Sequence, residues 1–385
     1  MTTSWPRIGL LYAAGVVSAG QLGLVPPLVS VLQHDLGLSL TAAAAAVSMV
    51  TLVGAVLGLP AGRWCQAAGH SRALVAGLAI MAVAAVLSAT AENGGLLLAA
   101  RGLAGVGYLL VVIAAPSLMA ALAEPRHHAF VLSLWGTFVP VGMAVVGFIA
   151  AGFAETGWRT MFLFDAAALA TASTIVLASV RAPVTSSRLQ RHALPVARLV
   201  TAAPLSLAFF CFALLFLALA GLLPAYFVDR RGLAPAEAGR IVGVATAFGI
   251  AGSLAAAWLM RRGLAPVRLL AVGLVSSTIV AVLSLNAALP LALSVACCVL
   301  SFALGGLGPA ATFAAVPRLA GDAHAIGPIN GMVAQAGSLG SLAGPPVLAL
   351  WIEWTSWAWA PVLLIAIAIV GAALALVVIP SSRPP

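Results

Sequence analysis

The stretch LLLAARGLAGVGYLLVVIAA (residues 96–115) holds a single arginine in twenty residues that are otherwise apolar or small, Tyr108 apart. At 1.5 Å of rise per residue, a helix of that length covers about 30 Å, the thickness of a bilayer's hydrocarbon core. Runs of this kind recur along all 385 residues, and the chain is 63% apolar and only 7% charged. A soluble domain carries about 25% charged residues. So few charges cannot cover a water-facing surface, and the sequence reads as a polytopic membrane protein.

Working outward from this stretch gives twelve spans, at 8–32, 42–61, 73–91, 96–122, 129–153, 160–180, 204–227, 238–259, 267–287, 290–316, 327–352 and 357–379. The first apolar run continues past Gln21 to about Leu32, so it reads as a retained span, not a cleaved leader. The expected fold is an all-α membrane protein of twelve transmembrane helices in two pseudo-symmetric six-helix bundles. Residues 1–180 form the first bundle, 181–203 a basic cytoplasmic linker and 204–385 the second bundle.

The net charge of +9 comes from 18 arginines and no lysine. These arginines form no stripe that tracks phosphates, so a nucleic-acid partner is excluded. With the N-terminus inside, thirteen fall on the inner side and four (Arg159, Arg230, Arg231, Arg240) on the outer, with Arg101 left within a span. The bias predicts an inner-membrane, multi-pass protein with both termini cytoplasmic. Trp351, Trp354, Trp357 and Trp359 then mark an outer interfacial belt. The four cysteines show neither metal-ligand nor disulfide spacing and read as buried packing residues. All six histidines read as solvated loop residues, so no metal site is expected.

The two halves repeat. Gly105, Gly107, Pro116 and Gly136 correspond to Gly306, Gly308, Pro317 and Gly337 at one constant offset. Trp64 and Gly69 match Trp258 and Gly263, and Arg72 with Gly77 matches Arg268 with Gly273. Parallel repeats of this kind are a signature of secondary transporters, whose solute site lies between the repeats near the midplane.

These residues resemble the major facilitator superfamily over nearly the whole chain. GRWCQAAGHSRAL (62–74) is similar to its loop between spans two and three, with Gly62, Gly69 and Arg72 in place. Gln66, Ala67 and Ser71 stand where an acid and two basic residues are usual, so the loop is degenerate. ARGLAGVG (100–107) matches the family's fourth-span pattern, GWRTMFLF (157–164) the start of span six, and DLGLSLTAAA (35–44) the start of span two. The resemblance implies alternating access, a gating role for Gly62, Gly69 and Arg72, and a central cavity lined by spans one, four, seven and ten.

On a helix Arg101, Gly105, Tyr108 and Val112 share a face. Burying an arginine in a membrane costs roughly 2.5–3.5 kcal/mol, so it faces a partner or a wet cavity. Its planar fork suits a carboxylate, which makes an anionic or zwitterionic solute the favoured cargo and Arg101 and Tyr108 its binding residues. The competing reading has Arg101 bonding backbone carbonyls or an acid and only steadying the bundle. Asp165, in span six at a similar depth, is the obvious partner and the candidate for proton coupling. Against a direct pair, the resemblance makes span six peripheral.

Gln21 and Gln335 are able to bond solute or a neighbouring helix, and Phe209 and Phe212, with Phe216, share one face of span seven, as an apolar wall of the solute cavity or as a packing or lipid-facing surface. The repeated small residues Gly54, Gly58, Gly62 and Gly340, Gly344 predict close helix approach. The expected function is a monomeric secondary active transporter of a small organic solute, with no cofactor. Proton-coupled drug or metabolite efflux is the alternative. An intramembrane enzyme is remote, since no nucleophile elbow and no histidine lies within a span, and no ATP-binding loop is present.

Overall fold

The computed structural model describes residues 3–154, 157–180, 196–320 and 323–378, and most of the predicted basic linker, with His192, lies outside them. Among the described residues the regular elements are all helices. The side on which the first helix begins is the near side, and the opposite one is the far side.

The first half of the chain runs α1 (Trp5–Gly23), α2 (Val29–Leu36), α3 (Leu40–Ser48), α4 (Leu52–Ala68), α5 (His70–Ala89) and α6 (Gly94–Ala121), then α7 (His128–Trp135), α8 (Phe138–Gly152) and α9 (Trp158–Ser179). The second half runs α10 (Val196–Arg231), α11 (Pro235–Ala247), α12 (Gly249–Arg261), α13 (Pro266–Ser284), α14 (Leu291–Gly305), α15 (Leu307–Ala320), α16 (Ala323–Trp354) and α17 (Ala360–Val377). Ten helical segments are long and apolar enough to cross a membrane. Of the other two predicted spans, the fifth corresponds to α7 with the shorter apolar helix α8, and the eleventh to α16.

Five predicted spans are interrupted, which the apolar pattern does not foretell. The first breaks at Pro26–Leu28, where the adjacent prolines remove two backbone donors and a single 3₁₀ turn joins α1 to α2. At the other breaks a hydroxyl turns back on its own helix. Thr51 Oγ1 donates to the Ser48 carbonyl between α3 and α4, and Thr137 Oγ1 to Leu134 between α7 and α8, both at 2.8 Å. Thr246 donates to Gly243 at 2.7 Å near the α11–α12 break, and Ser301 to Cys298 at 2.8 Å just before the α14–α15 break. Such back-bonds compete with the main-chain ladder and bend helices.

The repeat glycines do equivalent work in the two halves. A Cβ on Gly105 would sit 2.6 Å from the Val50 carbonyl oxygen, and one on Gly306 would sit 2.0 Å from that of Gly249. In each half the fourth span therefore presses backbone to backbone on the second. The small-residue pattern of α16 acts likewise, with Gly340 and Gly344 set against the carbonyls of Phe210 and Leu214 in α10.

Between the chain halves the far side is closed. Gly243 of α11 lies on Gly147 and Phe148 of α8, and Gly221 of α10 packs near Val47 of α3. Gly239 faces Pro27 and Ala151, where a Cβ would come within 2.5 Å and 2.9 Å of their Cβ atoms. Gly239→Val is therefore expected to disfavour the closed seam by about 1–3 kcal/mol, the usual cost of overpacking. The check is a cysteine at Thr246, deeper in the same seam, in a chain freed of its native cysteines. Its labelling by an impermeant maleimide from the far side is expected to quicken.

Candidate functional site: a buried guanidinium, amide and carboxylate

Helix α6 starts with Asn93, whose side chain accepts from the Leu96 N–H at 2.9 Å. Two turns on, Arg101 is completely buried, held against the α3–α4 junction by the close approach at Gly105. Its Nε donates to the Ala46 carbonyl at 3.0 Å. Nη1 donates to Gln21 Oε1 at 2.5 Å, and Nη2 to the Gln21 backbone carbonyl. Each nitrogen of the guanidinium thus has a protein acceptor, from α1 or α3.

Gln21 is itself buried at 1% exposure, and its Nε2 donates to Asp165 Oδ2 at 2.5 Å. Asp165 projects from α9 and is 3% exposed. Its helix is anchored at the far side by Arg159, which donates to the Ala91 carbonyl at 3.1 Å and lies over the Trp158 ring. The Trp158 indole in turn donates to Asp35 at 3.0 Å. Only one orientation of the Gln21 amide satisfies both neighbours. A guanidinium has no acceptor, so the amide oxygen must face Arg101 and the nitrogen Asp165.

The result is a chain of guanidinium, amide and carboxylate tying α1, α6 and α9 together, with α3 attached through Ala46. The carboxylate and the guanidinium carry opposite charges across one amide in a space closed to water. An unpaired charge there is far more expensive than in water, so the protonation state of Asp165 and the packing of three helices depend on each other.

The predicted site residues do not form one cluster. Arg101, Gln21 and Asp165 meet, but Arg101 and Asp165 meet through Gln21 and make no direct ion pair: among the described residues the ion pairs are His34–Asp35 and Arg126–Glu124. Tyr108 is half-buried on the same helix, packed against the core. Gln335 lies apart on α16 and donates to the Ala55 carbonyl of α4 at 2.9 Å, so it joins the two chain halves. Gly54 and Gly58 face Ser338 and Gln335 along that contact.

Phe209 and Phe212 stack at 5.6 Å, Phe216 continues the stack, and Phe313 of α15 meets Phe209 edge-on. Beside them a narrow apolar crevice, with an enclosed volume of only about 20 Å³, runs between α10, α13 and α14, lined by Phe212, Phe216, Leu274 and Phe302. Its hydroxyls, Ser277 and Ser301, each bond a carbonyl of their own helix and offer no donor inward.

Gly62 lies in α4, Gly69 turns the chain into α5 with φ +87°, and Arg72 is exposed in the first turn of α5. Two histidines depart from the expectation of free solvation. The His127 ring packs on Trp5 and pairs with Thr3 at 2.8 Å, and His128 bonds the Ala123 carbonyl. Sequence reasoning missed the hydroxyl pair Tyr12–Thr137, 2.7 Å apart between α1 and the α7–α8 junction, because nothing local links residues 125 positions apart.

The chain is 31% identical over 163 residues to the methylenomycin A resistance protein of Bacillus subtilis (strain 168), covering 41% of this chain and 34% of that one. It is 28% identical over 189 residues to a probable actinorhodin transporter of Streptomyces coelicolor (strain ATCC BAA-471 / A3(2) / M145), covering 47% and 32%. The alignments therefore span about a third of the length of these relatives.

Among solved structures, a bacterial homologue of the human lysosomal transporter Spinster superposes with a TM-score of 0.82 at 13% identity, over 98% of this chain and 97% of that one. A D-xylose–proton symporter superposes at 0.80 with 14% identity, over 99% of both chains. At these identities the likeness is one of fold. The sequence itself matches the Major Facilitator Superfamily over residues 11–327. A match across most of the chain, joined to a helical fold shared end to end with such transporters, makes this protein a member of the major facilitator superfamily.

Proposed function

We propose that this transporter is a proton-driven exporter of a small, largely apolar organic molecule. The observation that carries the reading is the engagement of Arg101: each of its three nitrogens donates to Gln21 or Ala46, and the side chain is completely buried, away from any solute carboxylate. The favoured cargo therefore shifts from an anion to an apolar molecule. The stacked phenylalanines of the second half support that shift. Export of a small organic molecule is also supported by the likeness to a methylenomycin A resistance protein and a probable actinorhodin transporter.

Asp165 is the proton carrier in this reading. Ionised, it accepts from Gln21 and balances Arg101 across the amide. Protonated, it leaves the buried guanidinium without a counter-charge, and the helices holding the three groups must repack. A ligand moves a conformational equilibrium only by its differential affinity for the two states, and a proton that adds or removes a buried charge has a large one. The near side is the cytoplasm by the arginine bias. A proton loaded when the far side opens and lost when the near side opens then drives solute the opposite way.

The test is purified protein in liposomes with a pH-sensitive dye trapped inside. Lipophilic neutral compounds, lipophilic cations and small carboxylates are added in turn. Proton movement on addition of a neutral or cationic lipophile is the expected result. Movement with carboxylates alone returns Arg101 to the solute site. Solute equilibration without proton movement removes Asp165 from its role.

A further inference from the structure

The far-side closure contains a contact whose chemistry is unusual for both partners. Glu353 lies one residue from the end of α16. The last carbonyls of a helix have no intrahelical partner and carry partial negative charge, so a carboxylate is disfavoured there. Its oxygens reach instead to the opposite kind of helix end, in the other half of the chain. The Thr41 backbone N–H donates to Oε1 at 2.9 Å, and the Thr41 hydroxyl to Oε2 at 2.7 Å. The Ser39 hydroxyl and the Leu40 N–H also favour the charged form of the carboxylate.

Helix α3 lacks an acidic residue in its own first turn. Ser39 caps it locally, accepting from the Ala42 N–H at 3.1 Å, and leaves the earlier donors to be satisfied from elsewhere. Each helix end thus supplies what the other lacks. The two ends lie 312 residues apart along the chain. The contact spans the same seam as Gly239 against Pro27, so it survives only while that seam is shut.

We propose that Glu353 is a positioning residue for the transport cycle, an anionic helix cap supplied in trans that latches the far side and is released each time that side opens. This inference goes beyond the proposed function and needs neither the solute nor the coupling ion to be known. It requires only that the two halves separate on the far side.

The experiment is a spin-label distance measurement in a chain freed of its native cysteines, reconstituted in nanodiscs. One nitroxide is placed at Glu92, in the first half, and the other at Ser356, in the second, both exposed on the far side. Glu353→Ala is expected to raise the ratio of far-side-open to far-side-closed molecules by roughly three- to tenfold, the range for one exposed charge-assisted contact. Glu353→Gln keeps the shape but loses the charge, and is expected to move the ratio in the same direction by less. Thr41→Val removes the hydroxyl but not the N–H and should also have a smaller effect.

Combined with Glu353→Ala, Thr41→Val should add nothing, because its partner is already gone. A misfolded variant is recognised by loss of the monodisperse gel-filtration peak, and Glu353→Gln with Thr41→Val then decides the matter. Distance distributions that match the parent in both Glu353 variants overturn the proposal. So do effects of Thr41→Val and Glu353→Ala that simply add. Failure of the proton-flux assay leaves this test untouched, and failure here leaves the proton carrier untouched.

Discussion

Arg101→Leu is expected to lose about 3–5 kcal/mol of folding free energy, the scale for removing one partner of a buried charged network. The loss is more than one hydrogen bond. It strips Gln21 of the donors to its amide oxygen and its backbone carbonyl, frees the Ala46 carbonyl, and leaves Asp165 as a buried carboxylate with no cation near. Thermal unfolding in detergent, followed by the fluorescence of the chain's tryptophans, reports it as a large drop in Tm. Adding Asp165→Asn to the same chain is expected to recover a substantial part of the loss, because the orphaned charge goes with it. If the double variant is no more stable than Arg101→Leu, the two charges do not sense each other through Gln21.

Asp165→Asn alone has the largest functional effect. The amide keeps an oxygen that accepts from Gln21 Nε2, but the Arg101 guanidinium loses its counter-charge, as it does on protonation, so Tm is expected to fall, by less than in Arg101→Leu. What disappears is the titratable oxygen. In the liposome assay, proton movement should fall to the level of protein-free vesicles, and solute movement should no longer respond to a pH gradient. Counterflow of labelled against unlabelled solute should persist, since it needs the conformational cycle but no net proton transfer. Proton movement retained in this variant would place the carrier elsewhere.

Much of this was legible in the residues, and the parts that were not have a common cause. The apolar runs, the arginine bias and the paired glycines each depend on positions along one helix or at one fixed offset. Periodicity reads such features directly. Asp165 was picked out because it shares a depth with Arg101, which is again a property of position along a helix. The bridging role of Gln21 depends instead on the lateral arrangement of α1, α6 and α9, and no spacing within one helix encodes that. The helix breaks escaped because a threonine back-bonding to a carbonyl looks in sequence like any other threonine in an apolar run. Nothing in the sequence around Glu353 names its partner; only the folded chain shows that it faces the start of another helix, 312 positions away.

The glycine seam of the far side has a bearing on energy conservation. Where Gly243 meets Gly147 and Phe148, main chain lies on main chain, and a Cβ on Gly243 would come within 3.0 Å of the Phe148 nitrogen. Water conducts protons along files of hydrogen-bonded molecules, and a file needs a lumen at least one molecule wide. Two backbones in van der Waals contact leave none. A membrane that stores work as a proton gradient tolerates a carrier in it only if each closure is dry, since a leaking carrier would run the gradient down without moving cargo. At this seam the close approach comes from residues with no side chain to hold the surfaces apart, and the crevice beside it, lined by Gly147, Gly239 and Gly243, has an enclosed volume of only about 10 Å³.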